Sequence, residues 1–123
     1  MPCGAGLLRQ VLWNLAENGL KYRRRDVAAE LEIEGHATEK SYDLRVSDNG
    51  IGMSLDEASH IFDPFYRAPR VREVPGTGLG LSIVKRIVHA SGGTVAVSSK
   101  LGEGSTFIVN FPLSKVERGR PRI

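Results

Sequence analysis

The stretch SYDLRVSDNGIGM, residues 41–53, alternates and then abruptly stops alternating. Tyr42, Leu44 and Val46 fall on one side and Asp43, Arg45 and Ser47 on the other, which predicts a strand over Ser41–Asp48 with one buried face. Asp48 keeps the parity of the apolar residues, so its carboxylate turns toward the interior. A buried carboxylate needs donors. The plain reading of the following Asn49-Gly50 is a turn. The second glycine, Gly52, weakens that reading, because two glycines so close also let a flat ligand approach the backbone.

The order of elements around this stretch sets the fold class. Val27–Glu34 alternates through Val27, Ala29, Leu31 and Ile33 and predicts a strand, with Gly35–Lys40 as the turn between the two. Leu7–Tyr22 predicts an amphipathic helix, with Leu8, Val11, Leu12, Leu15 and Gly19 on one face. Ser54 and Glu57 form a capping box for a short helix. Residues 63–75 carry Pro64, Pro69 and Pro75 with Arg67, Arg70 and Arg72, show no periodicity and read as a mobile loop. A helix opens from Gly76-Thr77-Gly78-Leu79-Gly80, with Ile83, Val84, Ile87 and Val88 apolar, and Gly92-Gly93 ends it. Thr94–Ser99 and Ser105–Phe111 predict a hairpin joined through Gly102-Glu103-Gly104. Strands and helices do not alternate as a doubly wound fold requires. The expected class is therefore α+β, a two-layer α/β sandwich in which helices cover one face of a mixed, mostly antiparallel sheet.

Composition narrows the classes. The chain has 123 residues, 41% hydrophobic and 25% charged, enough for one ordinary domain. No apolar run reaches the roughly 18 residues that a spanning helix needs. A single cysteine, Cys3, excludes an internal disulfide and a cysteine-based zinc cluster. The net charge of +3 resides in residues 114–123, a basic tail holding Lys115, Arg118, Arg120 and Arg122 against Glu117. No aromatic interleaving or groove-reading motif accompanies it, so no nucleic-acid partner is expected. Glycine stands out at 14 of 123, against a usual share of roughly 7%.

Several residue clusters could carry chemistry. Asn14 and Asn18 are four apart on one helix face, with Lys21 and Tyr22 on the same border. Carboxamide oxygens beside a cation suit a hydrated magnesium ion and phosphate oxygens, although two exposed Asn on a surface helix would look the same. An exocyclic amine such as adenine's would satisfy Asp48. The glycines before the second long helix favour an anion at a helix start, but they match neither the Rossmann nor the Walker spacing. Arginines before them offer bidentate phosphate recognition. Gly102–Ser105 is accounted for by a hairpin turn alone.

Together and in this order these pieces resemble the catalytic ATP-binding domain of two-component sensor histidine kinases, within the gyrase–Hsp90–histidine kinase–MutL superfamily. Residues 8–22 look like its N box, 48–53 its G1 box, 61–67 its F box, 76–85 its G2 box and 102–107 its last glycine block. The resemblance covers residues 7–113, leaving residues 1–6 as an atypical lead and 114–123 as the tail. It implies a Bergerat-type fold, the cofactors ATP and Mg2+, and phosphoryl transfer to histidine. Residue by residue, it implies that Asn18 coordinates magnesium, Asn14 supports metal and phosphates, Lys21 contacts phosphate, and Tyr22 lines the site near the base. Asp48 would accept from the adenine amine, with Gly50 and Gly52 shaping the base pocket. Arg67 would reach the γ-phosphate, while Gly76, Thr77, Gly78, Leu79 and Gly80 cradle phosphates. Phe65 and Thr106 complete the implied nucleotide contacts. Asn14, Lys21 and Arg67 would carry the catalytic roles. Related ATP-hydrolysing families place a glutamate base where Asn14 stands, and Asn cannot take that proton. Glu17 is assigned no catalytic role.

The chain departs from the family pattern in one large respect. His36, His60 and His89 lie in a turn, beside the F box and late in a helix, and none is followed by the acidic residue and proline of the phosphoacceptor motif. The expectation is a fragment, or half of a split kinase, that is cytoplasmic, monomeric in isolation and unable to autophosphorylate alone. Its partner would be a histidine-containing dimerisation/phosphotransfer domain, and indirectly a response regulator. The competing readings are an anti-sigma-type serine kinase and a non-catalytic nucleotide-binding module.

Overall fold

The computed structural model describes residues 4–67 and 79–112, with side chains from residue 6 onward. The elements run α1 (Gly4–Lys21), β1 (Leu31–Ala37), β2 (Ser41–Asp48), α2 (Leu55–His60), α3 (Gly80–Ala90), β3 (Thr94–Lys100) and β4 (Gly104–Pro112). The four strands form one sheet in the order β1-β2-β4-β3, and every neighbouring pair is antiparallel. The α+β class holds. The parallel pairing implied by a mixed sheet is not present among the described strands.

α1 and α3 lie side by side over one face of the sheet. Between them sits the core: Val11 and Leu15 of α1, Leu44 and Val46 of β2, Leu81, Val84 and Val88 of α3, and Phe107, Val109 and Phe111 of β4. The alternation in β2 and β4 supplies one layer of this core, and the helical period of α1 and α3 supplies the other. Phe62, just after α2, meets Phe107 edge-to-face at 6.1 Å between ring centroids. This contact anchors the segment leading to Arg67 against the core. The Ser54–Glu57 capping box forms as expected, and Gly92 ends α3 with φ of 78°.

Three boundaries differ from the expected ones. α1 begins at Gly4, inside the residues read as an atypical lead. β1 begins at Leu31, not Val27, and runs on through His36, where the sequence predicts a turn. The reason is pairing: Leu31 sits opposite Asp48, the last residue of β2, so residues before it have no strand to bond. They are held instead by Asn49, whose side chain accepts from Glu30 N at 2.8 Å and donates to Ala28 O at 2.9 Å. Beyond Leu31 the apolar alternation buries little. β1 is an edge strand outside the helical layer, and Ile33 is half exposed. No helix among the described residues is long and apolar enough to cross a membrane.

Candidate functional site

Four residues stand in register across the sheet where β2 and β4 meet the loops: Leu31 on β1, Asp48 on β2, Ser105 on β4 and Ser99 on β3. Directly opposed residues in antiparallel strands share a face. Ser105 has the parity of Phe107, Val109 and Phe111, so this row points to the helix side. Asp48 Oδ1 accepts from Gly50 N at 2.9 Å and Ser105 N at 3.3 Å. Burial lifts the Asp48 carboxyl above the ordinary aspartate value, and these two backbone donors offset part of the rise. Oδ2 accepts nothing among the described residues and faces the space under α1.

That space is a cavity of about 310 Å3, near the lower end of the roughly 300–1,000 Å3 usual for small-molecule sites. Asp48, Gly52, Met53, Ile61 and Ser105 line it from the sheet and loop side. Asn14, Glu17, Asn18, Lys21 and Tyr22 line it from α1. Tyr66, Arg67, Leu79, Gly80 and Ile83 close the rest. The sheet side is apolar with a carboxylate at its floor. The α1 side carries two carboxamides and Lys21, and the Asn14–Gly80 bond brings it to the start of α3.

The glycine loop after β2 is fixed by its neighbours. Ile51 N donates to Tyr22 O at 3.0 Å, joining the loop to the end of α1, and Gly102 N donates to Ile51 O at 2.7 Å, joining it to the β3–β4 turn. Arg24 Nε donates to Asn49 O at 2.9 Å. The glycines are needed for a different reason from the expected approach of a flat base. A Cβ on Gly50 would stand 2.7 Å from Tyr22 O, and one on Gly52, whose φ is 69°, would collide with Lys100 O. The chain's own backbone fills the room. Gly104, explained in sequence as a turn residue, has φ of 103°, and a Cβ there would strike Asp48 O. The last glycine block thus docks the hairpin against the strand end that carries Asp48.

The two asparagines of α1 are not equivalent. Asn14 Oδ1 accepts from Gln10 Nε2 at 3.0 Å, and its Nδ2 donates to Gly80 O at 3.1 Å, tying α1 to the start of α3. The Asn18 side chain has no hydrogen bond among the described residues, and Lys21 has no ion pair among them. Both line the cavity.

Asn14, Asn18, Lys21, Tyr22, Asp48, Gly52, Arg67, Leu79 and Gly80 therefore meet at one cavity, as the motifs implied. Gly50 lies behind the wall. Phe65 is 70% exposed at φ 64° and points away, while its neighbour Tyr66 takes the place in the wall. Thr106 faces the other side of the sheet and pairs with Ser47 at 3.0 Å; at that level the cavity is lined by Ser105. Gly76, Thr77 and Gly78, with Arg70 and Arg72, lie outside the described residues. Sequence reasoning missed Ser105, whose parity with Phe107 was readable. It also missed Glu17, Met53 and Ile83, which only the assembled fold brings together.

The donor set also bears on a metal. No group of three His, Cys, Asp or Glu side chains that could hold one occurs among the described residues. Neutral amide oxygens are hard donors, and magnesium is commonly held by few protein oxygens plus substrate phosphates and water. Asn18 fits that role better than Asn14, whose carboxamide is already engaged.

Comparison with known proteins agrees with this fold. The family model for histidine kinase-, DNA gyrase B-, and HSP90-like ATPases matches residues 4–115. Sensor protein kinase WalK of Staphylococcus saprophyticus is 38% identical over 114 residues, covering 91% of this chain and 19% of that protein. Sensor histidine kinase AtsR of Burkholderia thailandensis is 39% identical over 110 residues, covering 87% of this chain and 18% of that protein. The chain thus spans about a fifth of the length of these curated relatives. Among solved structures, the mycobacterial sensor histidine kinase MprB superposes with a TM-score of 0.77 at 25% identity, over 89% of this chain and 74% of that one. Full-length ShkA in complex with AMPPNP superposes with a TM-score of 0.74 at 34% identity, over 87% of this chain and 21% of that one.

Proposed function

The chain belongs to the histidine kinase-, DNA gyrase B-, and HSP90-like ATPase family, and from that premise we propose that it binds Mg-ATP in the α1–α3 cavity and donates the γ-phosphate to a histidine on a separate dimerisation/phosphotransfer domain of a two-component system. The observation that carries the reading is the cavity's polarity. A buried carboxylate with one uncommitted oxygen lines its sheet side among apolar side chains, and Asn18 and Lys21 face it from α1 with Arg67 in the same lining. An adenine amine suits the first side and a polyphosphate the second.

Each residue then has a distinct task. Asp48 accepts from the base. Met53, Ile61 and Ile83 supply apolar surface for it. Lys21 and Arg67 counter phosphate charge, and Arg67 follows a segment anchored by Phe62 on the core. Asn18 is the side chain to hold Mg2+, with Asn14 beside it keeping α3 in place. Bound magnesium would neutralise phosphate charge and help orient the γ-phosphoryl group. In the transfer, a ring nitrogen of the partner histidine forms a bond to the γ-phosphorus as the bond to the bridging oxygen breaks. ADP leaves, and the imidazole sheds its other N–H proton to solvent. Catalysis of this kind is largely positioning and charge stabilisation. Asn14 cannot serve as a base for water, which favours transfer over hydrolysis. The described histidines suit the acceptor role poorly: His36 is in edge strand β1, His60 ends α2 and pairs with Asp63, and His89 is in the last turn of α3. The relatives above are sensor kinases, which favours histidine transfer over the serine-kinase and non-catalytic readings.

The test is incubation of the chain with γ-labelled ATP and Mg2+, alone and with a supplied dimerisation/phosphotransfer domain. Acid-labile, alkali-stable label on the added domain only is the expected result. Alkali-labile label on serine, or no ATP binding by calorimetry, overturns the reading.

A further inference from the structure

Ser99 sits behind the wall of the cavity, and its hydroxyl makes three contacts. Met53 N lies 2.8 Å away and donates to it. Gly104 O lies 2.9 Å away and accepts from it. Ser105 Oγ lies 2.8 Å away. A serine hydroxyl has one proton and two lone pairs. The carbonyl of Gly104 can only accept, so it takes the Ser99 proton. The amide of Met53 can only donate, so it takes one lone pair. The contact with Ser105 then requires the Ser105 proton to lie on it. That fills the second lone pair of Ser99 and uses the only proton of Ser105.

The consequence lies in the cavity. With its proton turned back to Ser99, Ser105 presents lone pairs alone beside Asp48, to which it is directly opposed in the ladder. Asp48 Oδ2 is also an acceptor. The sheet side of the cavity therefore offers two adjacent acceptors and no serine hydroxyl proton. A 6-amino purine can meet both with the two N–H bonds of its amine. A 6-oxo purine has one donor on that edge, N1–H, and sets its carbonyl oxygen against the other acceptor, an unpaired contact that costs affinity.

We propose that Ser99 is a positioning residue for base selectivity: it fixes the direction of the Ser105 hydroxyl and so makes the wall reject 6-oxo purines. This rests on the nucleotide-binding reading above and adds to it a residue that touches no ligand. Ser99 also bonds the G1 loop at Met53 to the β3–β4 turn at Gly104, so one hydroxyl holds the wall and sets its polarity together.

The experiment compares binding of ATP and inosine triphosphate, whose base carries O6 and N1–H in place of the amine and the bare N1, by calorimetry on the full chain. Wild type should prefer ATP. Ser99→Ala frees the Ser105 proton to turn into the cavity, and the ATP-over-inosine preference should fall about tenfold, the scale of one hydrogen bond. Ser99→Thr keeps the hydroxyl and should keep the preference, which a merely structural loss would not distinguish in this way. Ser105→Ala should lower the preference too, while leaving Ser99 paired with Met53 and Gly104. It serves in place of Ser99→Ala if that variant melts early. In the Ser105→Ala background, adding Ser99→Ala should change the ratio no further. An unaltered ratio in either folded single variant overturns the inference and leaves ATP binding standing. Wild-type chain that binds neither nucleotide overturns both.

Discussion

At the sheet end of the cavity Asp48, Gly50, Ser99 and Ser105 are joined by hydrogen bonds to each other and to the backbone of two loops; at the α1 end, Asn18 and Lys21 have no such partner among the described residues. The first end is built before any ligand arrives. It can discriminate by shape and hydrogen-bond polarity because its groups need not reorganise. The second end keeps polar groups uncommitted and suits a ligand that brings charge, and a metal, with it. Asn14 is also on α1, one turn from Asn18, but its bond to Gly80 makes it part of the scaffold.

The most direct way to break this comparison is to invert the preformed end. In Asp48→Asn the amide oxygen can keep both backbone donors, Gly50 and Ser105, while the amide nitrogen replaces Oδ2. A donor then faces a donor. Loss of a hydrogen bond to a charged group and a new mismatch should lower ATP affinity about 100-fold, with or without magnesium. The melting temperature should not fall. Equal ATP affinity in the two proteins would show that Asp48 is not the base contact.

Asn18→Ala probes the other end and should cost less. ATP affinity in magnesium should fall about tenfold, while affinity measured in a chelator should barely change. Asn14→Ala is the contrasting variant, because losing the Gly80 bond should lower the melting temperature as well. Were Asn18→Ala to weaken binding equally with and without magnesium, the two ends would no longer differ in the way described.

How much of this was legible in sequence follows from the same contrast. Local periodicity placed α1, α3, β2 and β4, because each has a buried face on its own pattern. The parity of Asp48 was also readable, and the structure bears it out. Parity would have picked Ser105 over Thr106, since Phe107 marks the buried face. The start of β1 was not readable, since it depends on where β2 ends. Nor was the purpose of Gly50, Gly52 and Gly104. Their missing side chains make room for Tyr22, Lys100 and Asp48 backbone atoms far away in sequence. Ile83 looked like core but is 38% exposed and lines the cavity, while Leu81 took the buried place. Apolar residues bordering a ligand site and those bordering a core carry the same local signal.

The smallest effect expected is a pH dependence with opposite signs for folding and for binding. Burial raises the Asp48 carboxyl above its ordinary value. The folded domain therefore holds this proton more tightly than the unfolded chain does. The stabilisation from it is complete below the ordinary aspartate range and is lost as pH rises through the raised value. A base amine instead needs the ionised acceptor, so ATP affinity should weaken as pH falls through that same raised value. The two backbone donors favour the ionised form and hold that loss to lower pH than burial alone would. Asp48→Asn cannot titrate at this position. Its difference from wild type in melting temperature should move in favour of the variant as pH rises, while its ATP affinity stays flat where wild type declines toward acid. Parallel pH profiles in the two proteins would mean that the preformed end owes its selectivity to something other than a buried, ionised Asp48.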